Sequence, residues 1–395
     1  MRLLVLLSRF PYPLDKGDKL RAFHQLRQLA AVHEIYLFVV SDEAVAPDAL
    51  AAVQPLCRGG VTVVRLHRLG IALGMARALA AGRPLQTGYF HSPVAQRQLD
   101  RVIRDFMPEH IYCQLVRMAE YLRSYGGQQP MTLDYMDVFS AGMARRAGQA
   151  PAWQRPVLAL EARRLTTYEA EVFDWFTHHT IISDQDRQLI QHPQRERIEV
   201  VANGIDLDFF QPRFSTVKKF DVLFCGNMAY HPNVDAVVFL AAEIMPLVRQ
   251  HCPTARLLVA GTTPTARVLA LASAHVIVSG WLPDIRDAYA SARVFVAPMR
   301  VGTGLQNKLL EAMAMQLPSV TTTLANNALR GQSNRDLLVA DSAQNLATAI
   351  VNLLTDEDFA DQTARQGQAF VAAHYNWAGT TAALQELLQR PAPRS

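Results

Sequence analysis

Gly302-Thr303-Gly304-Leu305-Gln306-Asn307-Lys308-Leu309-Leu310-Glu311 sets glycines, a lysine and a single carboxylate in one short stretch. It follows the apolar run Arg293-Val294-Phe295-Val296-Ala297-Pro298, which reads as a buried strand. The glycine-flanked turn then opens a helix. Free amides at a helix N-terminus favour an anion such as phosphate, and glycine lets that backbone approach closely. Helical spacing puts Gly304, Lys308 and Glu311 on one face. A phosphate-binding end, a cation one turn in and a carboxylate two turns in suit a nucleoside diphosphate, with the carboxylate accepting hydrogen bonds from ribose hydroxyls. An ordinary strand–loop–helix unit with a solvated lysine and glutamate accounts for the same residues.

The rest of the chain supplies the scaffold. Short β-rich runs alternate with helical stretches twice over: 3–8, 35–40, 61–66, 110–114, 131–134, 180–183 and 198–201, then 220–225, 256–260, 275–278, 294–298 and 319–322. Such alternation predicts α/β units, parallel sheets with helices on both faces, and ligands beyond the C-terminal strand ends. The turn-rich Ala202-Asn203-Gly204-Ile205-Asp206 and the polar 213–219 place a boundary between about 203 and 219. The expected domains are 1–205 and 206–375, with a terminal helix at 376–390 packing back on the first.

Of 395 residues, half are apolar and 19% charged, and the net charge is +4, which speaks against a dedicated nucleic-acid binder. Lys and Arg outnumber Asp and Glu by 24 to 20 in residues 1–205 and match them at 15 to 15 in 206–395, so the first half holds the excess. Cys57, Cys113, Cys225 and Cys252 lack metal or disulfide spacing, as expected of core thiols in a reducing compartment. The N-terminus reads as too short for a signal peptide, and no run of 18 apolar residues suggests a membrane span. The segment 65–83 joins apolar residues to Arg65, Arg68, Arg77 and Arg83. It reads either as a helix on an anionic membrane surface or as a core helix with snorkelling arginines.

With these pieces placed, the chain resembles the family 4 glycosyltransferases of the GT-B fold, two Rossmann-like doubly wound domains facing across a cleft. The 305–314 helix, the Asn203-Gly204-Ile205-Asp206 linker and the strand ends at Gly261 and Gly280 fall in the family's order. Pro11-Tyr12-Pro13-Leu14-Asp15-Lys16-Gly17-Asp18-Lys19-Leu20-Arg21 and Gly226-Asn227-Met228-Ala229-Tyr230-His231-Pro232-Asn233-Val234-Asp235-Ala236 are similar to the subgroup found beside exosortase and exopolysaccharide loci.

The resemblance implies a retaining, metal-independent hexosyltransferase without a cofactor. It would move a sugar from a UDP- or GDP-linked donor to a glycan or lipid-linked acceptor in cell-surface polysaccharide synthesis. It implies a cytoplasmic location, with peripheral contact at the inner face of the membrane. The donor would sit mainly on the C-terminal domain and the acceptor on the N-terminal one.

Donor contacts carried over are Gly17, Gly226, Asn227, Trp281, Leu282, Thr303, Gly304, Leu305 and Glu311; Asp134, Asp137 and Lys308 would serve the chemistry. Gly17 opens a loop to which Lys19 and Arg21 add charge. Trp281 and Leu282 would hold the nucleobase, or Trp281 simply packs. Asp134 and Asp137 suit oxocarbenium stabilisation or acceptor activation, or Asp137 caps a helix. Arg117 and Arg145 could serve an anionic acceptor, and Glu161, Arg164 and Glu169 read as structural ion pairs.

Two departures from the family stand out. The Arg and Lys usual near Gly226 are missing, leaving helix N-termini, Lys308, Arg300 or Lys19 to meet the diphosphate. Thr303 stands where a first glutamate is expected, eight residues before Glu311. A catalytically silent partner of another transferase and a nucleotide-sugar epimerase are the competing readings.

Overall fold

Leu3, Val5 and Leu7 of the first strand belong to one buried cluster and Leu4 and Leu6 to another. A strand apolar on both faces sits inside a parallel sheet covered by helices on each side. The computed structural model, which describes residues 1–301 and 304–390, places it there. The first unit comprises Met1–Ala202 and the chain from Trp377. Its strands are β1 (Arg2–Leu7), β2 (Glu34–Ser41), β3 (Gly60–Arg65), β4 (His110–Gln114), β5 (Met131–Met136), β6 (His178–Ile181) and β7 (Glu199–Val200). They form one parallel sheet in the order β3-β2-β1-β4-β5-β6-β7. The terminal helix Trp377–Gln389 completes this unit: Leu384 and Leu388 enter its core, and Trp377 stacks on His24 at 4.8 Å.

The second unit, Asn203–Asn376, holds β8 (Phe220–Cys225), β9 (Leu257–Ala260), β10 (Val276–Gly280), β11 (Ala292–Ala297), β12 (Ser319–Thr321) and β13 (Leu338–Val339). Their order is β10-β9-β8-β11-β12-β13, again all parallel. In each sheet the strand order reverses beside the first strand, between β1 and β4 and between β8 and β11. Open parallel sheets bind ligands at such points.

Glycine makes the second edge possible. A Cβ on Gly261 would lie 1.8 Å from the Gly226 carbonyl oxygen, so the ends of β8 and β9 approach as only glycine permits. Among the described residues one helical run, His231–His251, is long and apolar enough to cross a membrane, but just over half of its most apolar window is buried within the unit.

Candidate active site

Strand β8 ends at Cys225, and Gly226 and Asn227 turn the chain into the helix His231–Phe239. Strand β11 ends at Ala297 and leads to the helix Asn307–Ala314, whose N-cap Gln306 makes no side-chain capping bond. Lys308 from that helix reaches back to the first turn. Its ammonium donates to Asn233 Oδ1 at 2.7 Å and Gln306 Oε1 at 3.0 Å, and lies 5.3 Å from the centre of the Phe224 ring. Asn233 is buried, and its amide nitrogen donates to the Asn227 carbonyl at 2.9 Å. A Cβ on Gly226 would come within 2.7 Å of that nitrogen, so the glycine leaves room for the link.

One turn further on, Glu311 accepts a hydrogen bond from the Tyr289 hydroxyl at 2.7 Å. Burial pushes the Glu311 carboxyl up, against the Tyr289 bond and the Lys308 charge. Burial likewise pulls the Lys308 ammonium down to about 8, opposed by Glu311 and Cys225. Each charge helps keep the other ionised, and Lys308 stays mostly protonated at neutral pH. The strand-end turn, a cation and a carboxylate thus share the switch point between β8 and β11. Sequence spacing did not reveal Asn233, Gln306 or Tyr289 as partners. Asn233 lies inside the motif that opens at Gly226, but Tyr289 carries no local signal.

Around this centre, Gly304 has a left-handed φ of 88° and its carbonyl accepts from Gln306 Nε2 at 3.2 Å. Leu305 is half-buried. Thr303 lies outside the described residues. Trp281, just beyond β10, is 67% exposed, which excludes core packing, and Leu282 is half-buried. The following turn is stapled: Asp284 caps the helix Ile285–Ser291 and pairs with Arg286 at 2.7 Å and Arg213 at 2.8 Å. Arg300 is no spare cation, because its guanidinium grips Asp235 through two bonds at 2.9 and 3.1 Å.

The first unit corrects several expectations. Asp134 is fully buried and saturated. It accepts from Arg21 Nε at 2.6 Å, Arg21 Nη2 at 3.2 Å, Tyr112 Oη at 2.7 Å, Thr180 Oγ1 at 2.9 Å and the Met136 amide at 3.2 Å. It is the structural counter-ion of Arg21 and offers no face to a reacting group. Arg21 therefore adds no charge to the Gly17 loop. Lys19 is also buried, held by Asp15 at 3.0 Å and Glu43 at 3.8 Å.

Asp137 differs from Asp134. It is exposed at the end of β5, following Met136, whose φ of 61° is unusual for a side-chain-bearing residue. Surrounding protein, then Asp186 and Asp134, push its carboxyl up to about 6, while Arg21 and Arg145 pull it down. The open side of the residue lets solvent moderate the first of these. Gly17 lies beside this loop, a Cβ there being 3.6 Å from Met136 Cε, so the fold joins the two N-terminal motifs.

Arg117 is buried against Ser8 at 2.8 Å and Asp18 at 3.3 Å, and Asp18 also takes Arg9 at 2.7 Å. Burial, then Arg9, lower the Arg117 guanidinium to about 10. Among the described residues, Glu161 and Glu169 form no ion pair, contrary to expectation. Glu161 accepts the amides of Leu85 and Gln86, and Glu169 that of Ser140, each at the start of a helix. Burial raises the Glu169 carboxyl to about 7. Among the described residues no three His, Cys, Asp or Glu side chains converge to hold a metal.

Residues 219–356, which contain Asn233, Tyr289, Lys308 and Glu311, match the family Glycosyl transferases group 1. An uncharacterized 44.6 kDa protein in the cps region of Klebsiella pneumoniae is 20% identical over 95% of this chain and 96% of its own. A GDP-mannose-dependent alpha-(1-6)-phosphatidylinositol monomannoside mannosyltransferase of Mycobacterium tuberculosis is 26% identical over 49% of this chain and 56% of its own. Among solved structures, Anabaena HepE in complex with UDP superposes with a TM-score of 0.67 at 13% identity, covering 98% of this chain and 99% of that one. Residues 219–356 of the C-terminal unit thus match a group 1 glycosyl transferase domain, and the fold of the chain is the GT-B fold of its glycosyltransferase neighbours.

Proposed function

We propose that the protein transfers a hexose from a nucleoside diphosphate sugar, with retention and without a metal or cofactor, to a glycan or lipid-linked acceptor in cell-surface polysaccharide synthesis. The observation that carries this reading is that one helix brings the Lys308 ammonium, held by Asn233, and the Glu311 carboxylate, held by Tyr289, to the switch point between β8 and β11. Lys308 and the amides opening its helix meet the diphosphate, and Glu311 accepts from the ribose hydroxyls. Gly226, Asn227, Gly304 and Leu305 bring backbone close to the phosphates, and Trp281 and Leu282 flank the base. The UDP complex of HepE supports a nucleotide donor, and the mannosyltransferase relative is itself GDP-mannose-dependent. The cps-region relative supports a surface polysaccharide.

In the reaction the anomeric carbon loses its bond to the diphosphate oxygen and gains one to an acceptor oxygen. The acceptor proton passes to the departing diphosphate on the same face, so no protein nucleophile is needed. Lys308 stabilises the charge that builds on the leaving group. Asp137, with Gly17 beside it, is the N-terminal candidate for steadying the acceptor hydroxyl. This reading rests on its open carboxyl, in contrast to the sealed Asp134.

Incubating the purified protein with a panel of UDP- and GDP-sugars tests the proposal. Slow release of free nucleoside diphosphate, faster with acceptor, is expected. Isomerised sugar nucleotide without acceptor would make the protein an epimerase. Neither release nor transfer across the panel would make it a silent partner.

A further inference from the structure

The helix Ala343–Thr355 contains no charged residue, although one of its faces meets solvent. Leu346, Ala347, Ile350, Leu353 and Leu354 are buried. The opposite face shows Asn345, Thr348 and Asn352 at helical spacing, and all three are exposed. The next helix, Glu357–His374, carries Glu357, Asp358, Asp361 and Arg365, the usual means of keeping a surface helix in water. On the first helix amides and hydroxyls take the place of charge.

This face lines a recess of about 590 Å³, together with Leu338 and Val339 of β13 and the half-buried Phe359. β13 is the outermost strand of its sheet, so the recess lies at an edge of the unit. Asn334, just ahead of β13, adds a third exposed amide. Among the described residues, no hydrogen bond to the protein occupies the side-chain amides of Asn334, Asn345 and Asn352. The frame beneath them is fixed. The Ser342 hydroxyl caps the first helix by accepting the Asn345 backbone amide at 3.2 Å, and the Asp356 carboxylate caps the second by accepting that of Phe359 at 2.9 Å. Asp341 is the one charged side chain among the described residues lining the recess, and it accepts from the Thr323 amide at 2.9 Å and Thr323 Oγ1 at 2.7 Å.

This chemistry selects a ligand. Each asparagine offers a donor and an acceptor in one plane, as neighbouring sugar hydroxyls require, and an aromatic ring covers the C–H face of a pyranose. No cation lines the recess, and Asp341 and Asp356 repel a polyanion. Phosphates and uronate chains are therefore disfavoured, and a neutral glycan is complementary. β8, β11, β12 and β13 are adjacent and parallel, so Asp341, after β13, stands at the same end of the sheet as Gly226, after β8. Two strand spacings, about 10 Å, separate β13 from β11, whose following helix carries Lys308 and Glu311.

We propose that the recess between β13, the helix Ala343–Thr355 and Phe359 is a second carbohydrate site, which holds a neutral glycan chain through Asn334, Asn345, Asn352 and the Phe359 ring. Holding the chain there raises its local concentration at this edge of the unit. No residue of the recess is assigned to donor or acceptor, and binding is read without turnover. Failure here therefore leaves the transfer reaction standing, and failure of the transfer reaction leaves this site standing.

The test is saturation-transfer NMR on the full chain at high salt, which screens non-specific attraction of polyanions. Maltohexaose, cellohexaose and mannohexaose are the neutral probes, and hexagalacturonate is the anionic one. At least one neutral probe should receive saturation, and hexagalacturonate should not. Asn345→Ala/Asn352→Ala should raise the dissociation constant by about tenfold. Phe359→Leu keeps apolar volume but removes the ring, and should raise it by about fivefold. Both asparagines are exposed, so their variant should keep the wild-type thermal midpoint, and it decides the question alone if Phe359→Leu does not fold. Saturation of none of the neutral probes overturns the proposal, as does equal saturation of hexagalacturonate. Wild-type affinity in the asparagine variant also overturns it and moves the glycan to another surface.

Discussion

Asn233 accepts the Lys308 ammonium at 2.7 Å while donating to the Asn227 carbonyl at 2.9 Å. One buried amide thereby locks the turn after β8 to the cation on the helix after β11. The turn and the cation are the groups expected to meet one diphosphate, so their spacing matters more than either alone. Asn233→Ala frees the lysine without removing its charge. A hydrogen bond to a charged group contributes about 1.5–3 kcal/mol. Nucleotide-sugar KM should rise by roughly tenfold or more, and the thermal midpoint should fall as the buried bond is lost, with the folded fraction still measurable. Initial-rate kinetics check this, and an unchanged KM would remove Lys308 from the diphosphate.

Glu311 and Tyr289 make a second separable pair. Glu311→Ala deletes the acceptor expected to meet ribose, which should weaken donor binding by about 1.5–3 kcal/mol while the fold survives. Tyr289→Phe leaves the carboxylate in place and removes the bond that holds its pKa down against burial. The carboxyl then rises further, so activity should be lost at a higher pH as the solution is acidified. A pH profile of kcat/KM in which the acid limb does not move would refute the assignment.

The sheets were legible because their signals are local. Runs such as 220–225 are apolar on both faces and bounded by polar turns, so each expected strand falls within a residue or two of an observed one. β13 escaped notice: Leu338–Val339 is two residues long and follows the charged Asn334-Arg335-Asp336. The helix pattern of Gly304, Lys308 and Glu311 was equally local. Their partners were not, since Asn233 lies 75 residues from Lys308 and Tyr289 lies 22 from Glu311. No spacing rule reaches that far. Asp134 illustrates the opposite error. Two aspartates near a strand end looked alike, but three-dimensional packing sealed one against Arg21 and left the other open.

That sealing yields a stability prediction. Removing one partner of a buried ion pair leaves the other charge uncompensated, at a cost of about 3–5 kcal/mol. Asp134→Ala should lower unfolding stability by that amount, read as a shift in denaturant midpoint, because the fully buried Arg21 would lose its carboxylate counter-ion. Any loss of activity should track the unfolded fraction. A variant that folds as well as the wild type yet fails to transfer would return Asp134 to the chemistry.

Two buried histidines each weaken the fold in acid. His110 donates to or accepts from Thr132 Oγ1 at 2.8 Å, and His179 does so with the Phe173 carbonyl as acceptor at 2.9 Å while its ring stacks on Phe173 at 3.8 Å. Burial first, with nearby positive charge second for His110 and more weakly for His179, pulls both down to about 3. An unfolded histidine titrates near 6.5. Above that value both states are neutral, and neither histidine makes stability depend on pH. Between about 6.5 and 3 the unfolded chain holds protons that the folded one excludes, so stability falls as the pH drops. Each histidine contributes a slope of about 1.4 kcal/mol per pH unit within that window. His110→Gln and His179→Gln should each flatten the acid side of a stability–pH curve, even where they lower its plateau. Urea unfolding between pH 4.5 and 7.5 measures that slope, and a variant as steep as the wild type would exclude its histidine as a source of the acid sensitivity.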